Sequence, residues 1–246
     1  MRQRSEGTLH PAGAVSVIAQ SLGVTEMKLS ETKTSYYEIF NLNDLDRVAD
    51  VIGQAFTNSD SMAVTQLLSV KEFADYVKSI GEWMEKQQLT VVTKDKSTDE
   101  VTGVVIAGDF ASDFPLTPEN SKHLSDKLEP IMELLESLEA QYKQGKQIQA
   151  GEYLYIHMLA VSPKYQRRKI AQNSIEVCLN NGIEKGFTYA FTEAANSVSQ
   201  HVFGKLGFVP RHEISYQQFT YQGQKVFASV EGHTGTILMD KLIGNK

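Results

Sequence analysis

Apolar residues recur along this chain with two different periods, and the switches between them mark out its elements. TSYYEIF (34–40) is short, aromatic and β-branched, and reads as a strand. From Leu45 the spacing changes. Leu45, Val48, Ala49, Ile52, Ala55 and Phe56 follow an i, i+3, i+4, i+7 rule, which predicts a helix with one buried stripe and Asn43 as its cap. The polar run TNSDS (57–61) predicts a loop. Phe73, Tyr76, Val77, Ile80 and Trp83 predict a second helix over 70–85. LTVVTKD (89–95) and EVTGVVIAGDF (100–110), joined by a turn-rich connection, predict a hairpin.

Residues 117–145 carry a narrower stripe, Leu124, Leu128, Ile131, Leu135 and Leu138. Pro130 lacks an N–H and its ring clashes with the preceding helical turn, so the segment divides and Pro130 opens the second piece. The stripe is expected to pack on its own domain; its other use would be a dimer contact, so the chain is read as a monomer or homodimer. EYLYIHMLAV (152–161) is apolar on both faces, the pattern of a central strand covered on both sides. A helix is predicted over 167–182, with Ala171, Ile175, Cys178 and Leu179 inward, and a strand over 186–194. Asn196 then caps a short helix stopped at Gly207. Two strands are expected near 211–221 and 225–241. The order predicts an α/β (α+β) class: a mixed, mostly antiparallel twisted sheet of about seven strands flanked by helices, with a helical insertion before the central strand. One domain covers 32–246, preceded by an extension, 1–31, that is helical or loosely ordered.

Composition narrows the functions open to such a domain. Of 246 residues, 41 % are apolar and 22 % charged, enough for a full core. The net charge of −6 argues against broad attraction to nucleic acid or an anionic membrane. The single cysteine, Cys178, rules out an intrachain disulfide and a Cys-based metal cluster, and a cytoplasmic setting is expected. No run of eighteen apolar residues exists. The basic Met1–Arg4 followed by AGAVSVIAQSLGV (12–24) has the outline of a signal peptide, but Ser16, Gln20 and Ser21 interrupt the apolar run and no clean cleavage site follows.

The chemistry concentrates in LAVSPKYQRRKIAQNSI (159–175). A buried strand ends at Val161, turns at Ser162–Pro163, and enters a helix through QRRKIA. The first helical turn offers unpaired N–H groups and the positive end of the helix dipole, a geometry that binds phosphate. Arg167, Arg168 and Lys169 add charge there. Taken alone, the segment reads equally as an ordinary helix start with solvated basic residues.

Gln166-Arg167-Arg168-Lys169-Ile170-Ala171 resembles the Gln/Arg-x-x-Gly-x-Gly/Ala motif of the GCN5-related N-acetyltransferases, and NSVSQHVFGKLGF (196–208) resembles that family's Asn-x-x-Ala-x-x-x-Tyr-x-Lys-x-Gly-Phe block. The resemblance implies acetyl-CoA as co-substrate, with its pyrophosphate on the amides of Gln166 to Ala171, its pantetheine arm along Leu159 to Val161, the Leu159 N–H on the thioester carbonyl, and Asn196, Ser199 and Phe203 beside it. Two positions depart from the family. Lys169 replaces the glycine that lets backbone approach the pyrophosphate; it can still donate its N–H if its φ is helical. Phe203 replaces the tyrosine that protonates the departing thiolate. A narrower resemblance, to arylalkylamine (dopamine-type) N-acyltransferases, lies in KLGF (205–208), YQQFTYQGQKVF (216–227) and EGHTGTILMDK (231–241). It implies transfer of acetyl to a small primary amine of the arylalkylamine kind. Polyamine, amino-acid, antibiotic or protein amines remain open, as does a non-catalytic acyl-CoA-binding module.

The amine must lose a proton to attack, so a base is needed. His157, in IHMLAV (156–161), matches a proton-path histidine of the serotonin-type enzymes. Asp60, in AFTNSDSM (55–62), stands where dopamine-type members place a basic Glu, with Ser61 in place of Pro. Ser199 matches a proton-relaying serine, and His233 a C-terminal His-x-Gly at the pocket wall. The other readings are a core histidine, a solvated loop carboxylate and a small packing residue. Met62 and some of Tyr216, Phe219, Tyr221 and Phe227 wall an aromatic pocket or belong to the strand core.

Overall fold

The computed structural model describes residues 27–112, 114–115 and 124–244. Its elements are β1 (Lys28–Glu31), β2 (Ser35–Ile39), α1 (Leu45–Ser59), α2 (Ser61–Thr65), α3 (Val70–Ser79), α4 (Gly81–Gln87), β3 (Val91–Asp95), β4 (Val101–Asp109), α5 (Glu129–Lys143), β5 (Tyr153–Val161), α6 (Ile170–Glu184), β6 (Tyr189–Ala194), α7 (Ser197–Lys205), β7 (Val209–Ser215) and β8 (Gly235–Leu242). The strands form one sheet in the order β1-β2-β3-β4-β5-β6-β8-β7. Every neighbouring pair is antiparallel except β5–β6, which is parallel.

The helices divide between the two faces, and the strand period sorts the core accordingly. Tyr153, Tyr155, Met158, Ala160 and Phe191 face α1 to α5, packing with Val48, Ile52, Val77, Met84, Leu134 and Leu138. Leu154, Ile156, Ala190 and Met239 face α6 and α7, packing with Ile175, Cys178, Leu179 and Phe203. No described helix is long and apolar enough to cross a membrane.

Several boundaries differ from the sequence expectation, each for a local reason. The sheet starts earlier: Lys28–Glu31, assigned to the extension, pairs with β2. Residues 1–26 lie outside the described residues. The first cap is Asn41, not Asn43; its side chain accepts from the Asn43 N–H and starts a 3-10 turn that leads into α1. Residues 57–61 are not a loop. α1 continues to Ser59, and Asp60 re-caps the chain at once as α2. The 70–85 helix breaks at Ile80, with α4 continuing from Gly81. Pro130 does sit in the first turn of α5, whose stripe is buried on its own sheet. Leu134, fully buried, takes the place expected of Leu135, which is partly buried. Strand β7 stops at Ser215 and β8 begins only at Gly235. The intervening segment is anchored by the buried Tyr216 and Phe227, which belong to the core and not to a pocket wall.

Two features of the sheet make room for a site. Ile106 pairs with Met158 but Ala107 with Ile156, so His157 is an extra residue in β5. This bulge shifts the alternation: Tyr155 and Met158, three apart, face the same side. Bulges bend a strand and re-aim a side chain. The second feature is a fork. β5 pairs with β6 only from Tyr153↔Tyr189 to Ile156↔Thr192, and the Thr192 hydroxyl closes the apex on the Ile156 carbonyl at 3.0 Å. Beyond it, the β6-facing edge of residues 157–161 has no strand partner among the described residues.

Candidate active site

The fork opens into a cleft of about 630 Å³. Its floor is His157 to Val161 of β5. One wall is the start of α6, another is Thr192 and Glu193 of β6 with Asn196, Ser199 and Phe203 of α7, and a third is the α1–α2 hinge with Phe56, Asp60 and, across from it, His233.

The start of α6 is held close to the sheet. A Cβ on Gly103 of β4 would come within 2.7 Å of Ile170 Cγ2, so a glycine there lets the helix end approach. Ser174 ties the same helix to β3 through a 2.7 Å contact with the Thr93 hydroxyl. α6 begins at Ile170, not at Arg167, and its N-cap Lys169 provides no side-chain cap. The first amides of a fifteen-residue helix thus face the cleft uncapped. Arg167 and Lys169 both have left-handed backbone, φ 64° and 62°. The condition set for Lys169, a helical φ of the ordinary hand, is not met; it holds the glycine conformation without being glycine, which costs about 1–2 kcal/mol. Gln166, Arg167, Lys169, Ile170 and Ala171 line the cleft. Arg168 turns away, its guanidinium 5.0 Å from the Tyr165 ring centre, beside a smaller second cavity.

His157 occupies the bulge with both ring nitrogens engaged. Nε2 lies 2.7 Å from the Tyr76 hydroxyl and Nδ1 3.1 Å from the Tyr155 hydroxyl. Tyr155 in turn donates to Glu193 Oε2 at 2.7 Å. With its proton directed at Glu193, Tyr155 accepts from Nδ1–H, and Nε2 then accepts from Tyr76. Burial lowers the imidazole to about 4, so it is neutral near pH 7.

Asp60 is buried at the hinge, not solvated in a loop. Its Oδ1 accepts from the N–H groups of Met62 (3.1 Å) and Ala63 (2.8 Å). Burial raises its pKa, against the opposing effect of those two amides and of His233. His233 Nδ1 accepts from the Ser197 N–H at 3.2 Å, fixing the C-terminal segment to the start of α7. Ser199 completes a capping box with Asn196: the Asn196 side chain accepts from the Ser199 N–H, and the Ser199 hydroxyl is bonded to the Asn196 backbone. Phe203 lines the cleft where it packs edge-on against Phe208. Tyr165, the one tyrosine among the described lining residues, gives its hydroxyl to Glu100.

Leu159, Val161, the Gln166–Ala171 segment apart from Arg168, Asn196, Ser199, Phe203, His157 and Asp60 therefore share one cleft. Sequence reasoning missed Glu193, Tyr155 and Tyr76. Glu193 lies three residues before Asn196 and Tyr155 two before His157, but only the fork and the bulge join Glu193 to His157 through Tyr155.

The model of the acetyltransferase (GNAT) family matches residues 74–208. This chain belongs to the GNAT acetyltransferase family. Among solved structures, the C-terminal condensation domain of Ebony, in complex with beta-alanyl-dopamine, superposes with a TM-score of 0.76 at 17 % identity, over 85 % of this chain and 99 % of that one. Arylalkylamine N-acetyltransferase 2 from Aedes aegypti gives 0.70 at 18 %, over 85 % and 99 %. A polyamine N-acetyltransferase from Drosophila melanogaster gives 0.69 at 15 %, over 85 % and 99 %. At these identities the likeness is one of fold. No curated protein sequence matches the chain.

Proposed function

We propose that the protein transfers an acetyl group from acetyl-CoA to a small primary amine, by direct attack of the amine on the thioester. The observation that carries this is the joining of two features in one cleft: a fork whose β5 edge is unpaired, and the uncapped, positively charged start of α6. An extended pantetheine arm can add to the unpaired edge as a strand would. A pyrophosphate can sit on the helix amides, with Arg167 and Lys169 beside it. The backbone N–H of Leu159 is the donor assigned to the thioester oxygen as negative charge develops there.

The amine end of the cleft lies between the α1–α2 hinge and the fork. Asp60 draws the ammonium group in. His157, neutral and fixed by Tyr76 and Tyr155, shapes the wall and passes hydrogen bonds rather than gathering charge. Ser199 holds α7 in place. Phe203 has no proton to give, and the CoA sulfur, with a pKa near that of an ordinary thiol, leaves as thiolate and takes its proton from water. Phe56 offers an apolar face to the substrate side chain, which favours an arylalkylamine. Phe203 also supports a second reading, an acyl-CoA-binding module without turnover.

The deciding experiment incubates the full chain with acetyl-CoA and a panel of amines and measures free thiol. Amine-dependent thiol release establishes the acyltransferase. Coenzyme A binding with no thiol release across the panel leaves the binding module.

A further inference from the structure

Glu193 is a carboxyl to which neither sequence motif drew attention. It is the first residue of β6 after the last pair with β5, Ile156↔Thr192, so it stands at the mouth of the fork, across from the His157 bulge. Its Oε2 accepts from Tyr155 at 2.7 Å. Its Oε1 is enclosed and has no hydrogen-bond partner among the described residues. Glu193 lines the cleft. A buried carboxylate oxygen without a donor costs about 1–3 kcal/mol or more, so its persistence points to a donor supplied by a ligand.

Resting on the acyltransferase reading above, we propose that Glu193 is the general base, its Oε1 taking the proton of the incoming ammonium. The alternatives are weaker on geometry. Both His157 nitrogens are already bonded, and Asp60 uses Oδ1 to cap α2. In the step, an N–H bond of the ammonium breaks and its proton passes to Glu193. The nitrogen lone pair forms the C–N bond at the thioester carbon, the C–S bond breaks, and sulfur leaves as thiolate. The nitrogen's second proton, lost as the amide forms, reaches that thiolate through water. Glu193 then returns its proton to solvent.

The groups facing Glu193 fit this role. Burial and the nearby Glu139 of α5 raise its pKa above the ordinary carboxylate range, while Tyr155 of β5 and Lys143 of α5 oppose the rise. Tyr76 of α3 and His157 complete the hydrogen-bonded chain and carry no charge near neutrality. A raised carboxyl is matched to proton abstraction near neutral pH better than an ordinary one.

The test uses acetyl-CoA with tryptamine, spermidine or lysine, whichever the wild type turns over fastest. Glu193→Gln should lower kcat by about 10²–10⁴-fold and remove the acidic limb of the kcat/KM–pH profile, with coenzyme A affinity unchanged. Tyr155→Phe keeps the ring that stacks on Phe191 and removes a hydrogen bond that favours ionised Glu193, so its acidic limb should move to higher pH. This variant decides the matter if Glu193→Gln does not fold. A Glu193→Gln protein within about threefold of wild type, or an unmoved limb in Tyr155→Phe, overturns the assignment and leaves the acyltransferase reading intact. A wild type that releases no thiol with any of the three overturns both.

Discussion

The Tyr76 hydroxyl lies 2.7 Å from His157 Nε2, and this contact fixes the character of the histidine. A ring nitrogen that accepts from a buried tyrosine, next to one that donates to Tyr155, belongs to a neutral imidazole. Protonating it would turn the Tyr76 hydroxyl from donor to acceptor and would charge a desolvated ring. The bulge that places His157 in the cleft thus also places it, neutral near pH 7, between two tyrosines.

The pH dependence of stability follows with a definite sign. Burial depresses the folded-state pKa of His157 from 6.5 to about 4. Between those values the unfolded chain binds a proton that the folded one does not, so this group's contribution is full above about 6.5 and is lost as pH falls toward 4. The full loss is at most about 3 kcal/mol. The raised carboxyls Asp60 and Glu193 act in the opposite sense, favouring the fold as pH falls. Comparing Tm from pH 7 to 4 in wild type and His157→Gln isolates the histidine term: the variant should lose less stability over that window. Parallel curves would show that His157 does not resist protonation.

Coenzyme A binding at α6 should depend on salt and on Arg167. The contact is between charged oxygens and partly exposed amides and guanidinium, so raising ionic strength from 0.05 to 0.5 M shortens the screening length and weakens it. Arg167→Ala should weaken binding roughly five- to tenfold, a loss of about 1–1.4 kcal/mol. Arg168→Ala, whose side chain stacks on Tyr165 away from the cleft, should change it little. Calorimetry at two salt concentrations measures both. No binding at millimolar coenzyme A would remove the proposed function.

Lys169 can be separated into backbone and charge effects. At φ 62° any residue with a Cβ is strained, and glycine is not. Lys169→Gly should therefore be more stable than Lys169→Ala by about 0.5–1 kcal/mol, the gain being partly offset by the freer unfolded chain. Both variants lose the same charge. Urea midpoints compare them; Ala at or above Gly would mean that the left-handed conformation is not retained.

Asp60 caps α2, and asparagine separates that cap from the electrostatic role proposed for its carboxylate. Asn caps helices as well as Asp does, so Asp60→Asn should keep α2 and leave Tm within a degree or two, whereas Asp60→Ala loses a cap worth about 1 kcal/mol. If Asp60 attracts the ammonium, Asp60→Asn raises the amine KM with a smaller change in kcat. A kcat loss of about 10²–10⁴-fold in Asp60→Asn would instead make Asp60 the base and displace Glu193.

The element order and the two halves of the site were legible because they rest on local signals. Helical spacing around Val48 and Ile52, Pro130 at a helix start, and Asn196 at a cap each act within a few residues. Features that depend on chain partners were hidden. The slip at His157 leaves no trace in a strand that is apolar on both faces, because shifting the alternation there exchanges one apolar residue for another. Asp60 reads as a polar loop because the chain ends one helix and caps the next at the same residue. Tyr216 and Phe227 read as strand residues, but they are buried from an irregular segment, and aromatic residues anchor such segments as well as they fill strands. Glu193 looked like an ordinary strand residue; only the early end of β5–β6 pairing frees it to face the cleft.

Those burial patterns revise the basis for substrate preference. The expected aromatic wall loses Tyr216 and Phe227 to the core, and Met62 is buried with them. What remains on the amine side is Phe56, packed 4.8 Å from Phe73, with Val198 and Met158 nearby in the same cleft. Burying one aromatic side chain of the substrate against Phe56 supplies about 2–3 kcal/mol, which corresponds to a preference of roughly thirty- to a hundred-and-fifty-fold over a polar amine of similar length. Asp60 and Glu193 attract any ammonium and do not discriminate between mono- and polyamines. The ratio of kcat/KM for tryptamine, spermidine and lysine therefore reports on Phe56. Tryptamine should lead, and Phe56→Ala should reduce its advantage by about tenfold while leaving spermidine nearly unchanged. If spermidine or lysine leads in the wild type, the cleft selects for charge and the arylalkylamine assignment falls, while acetyl transfer to an amine stands.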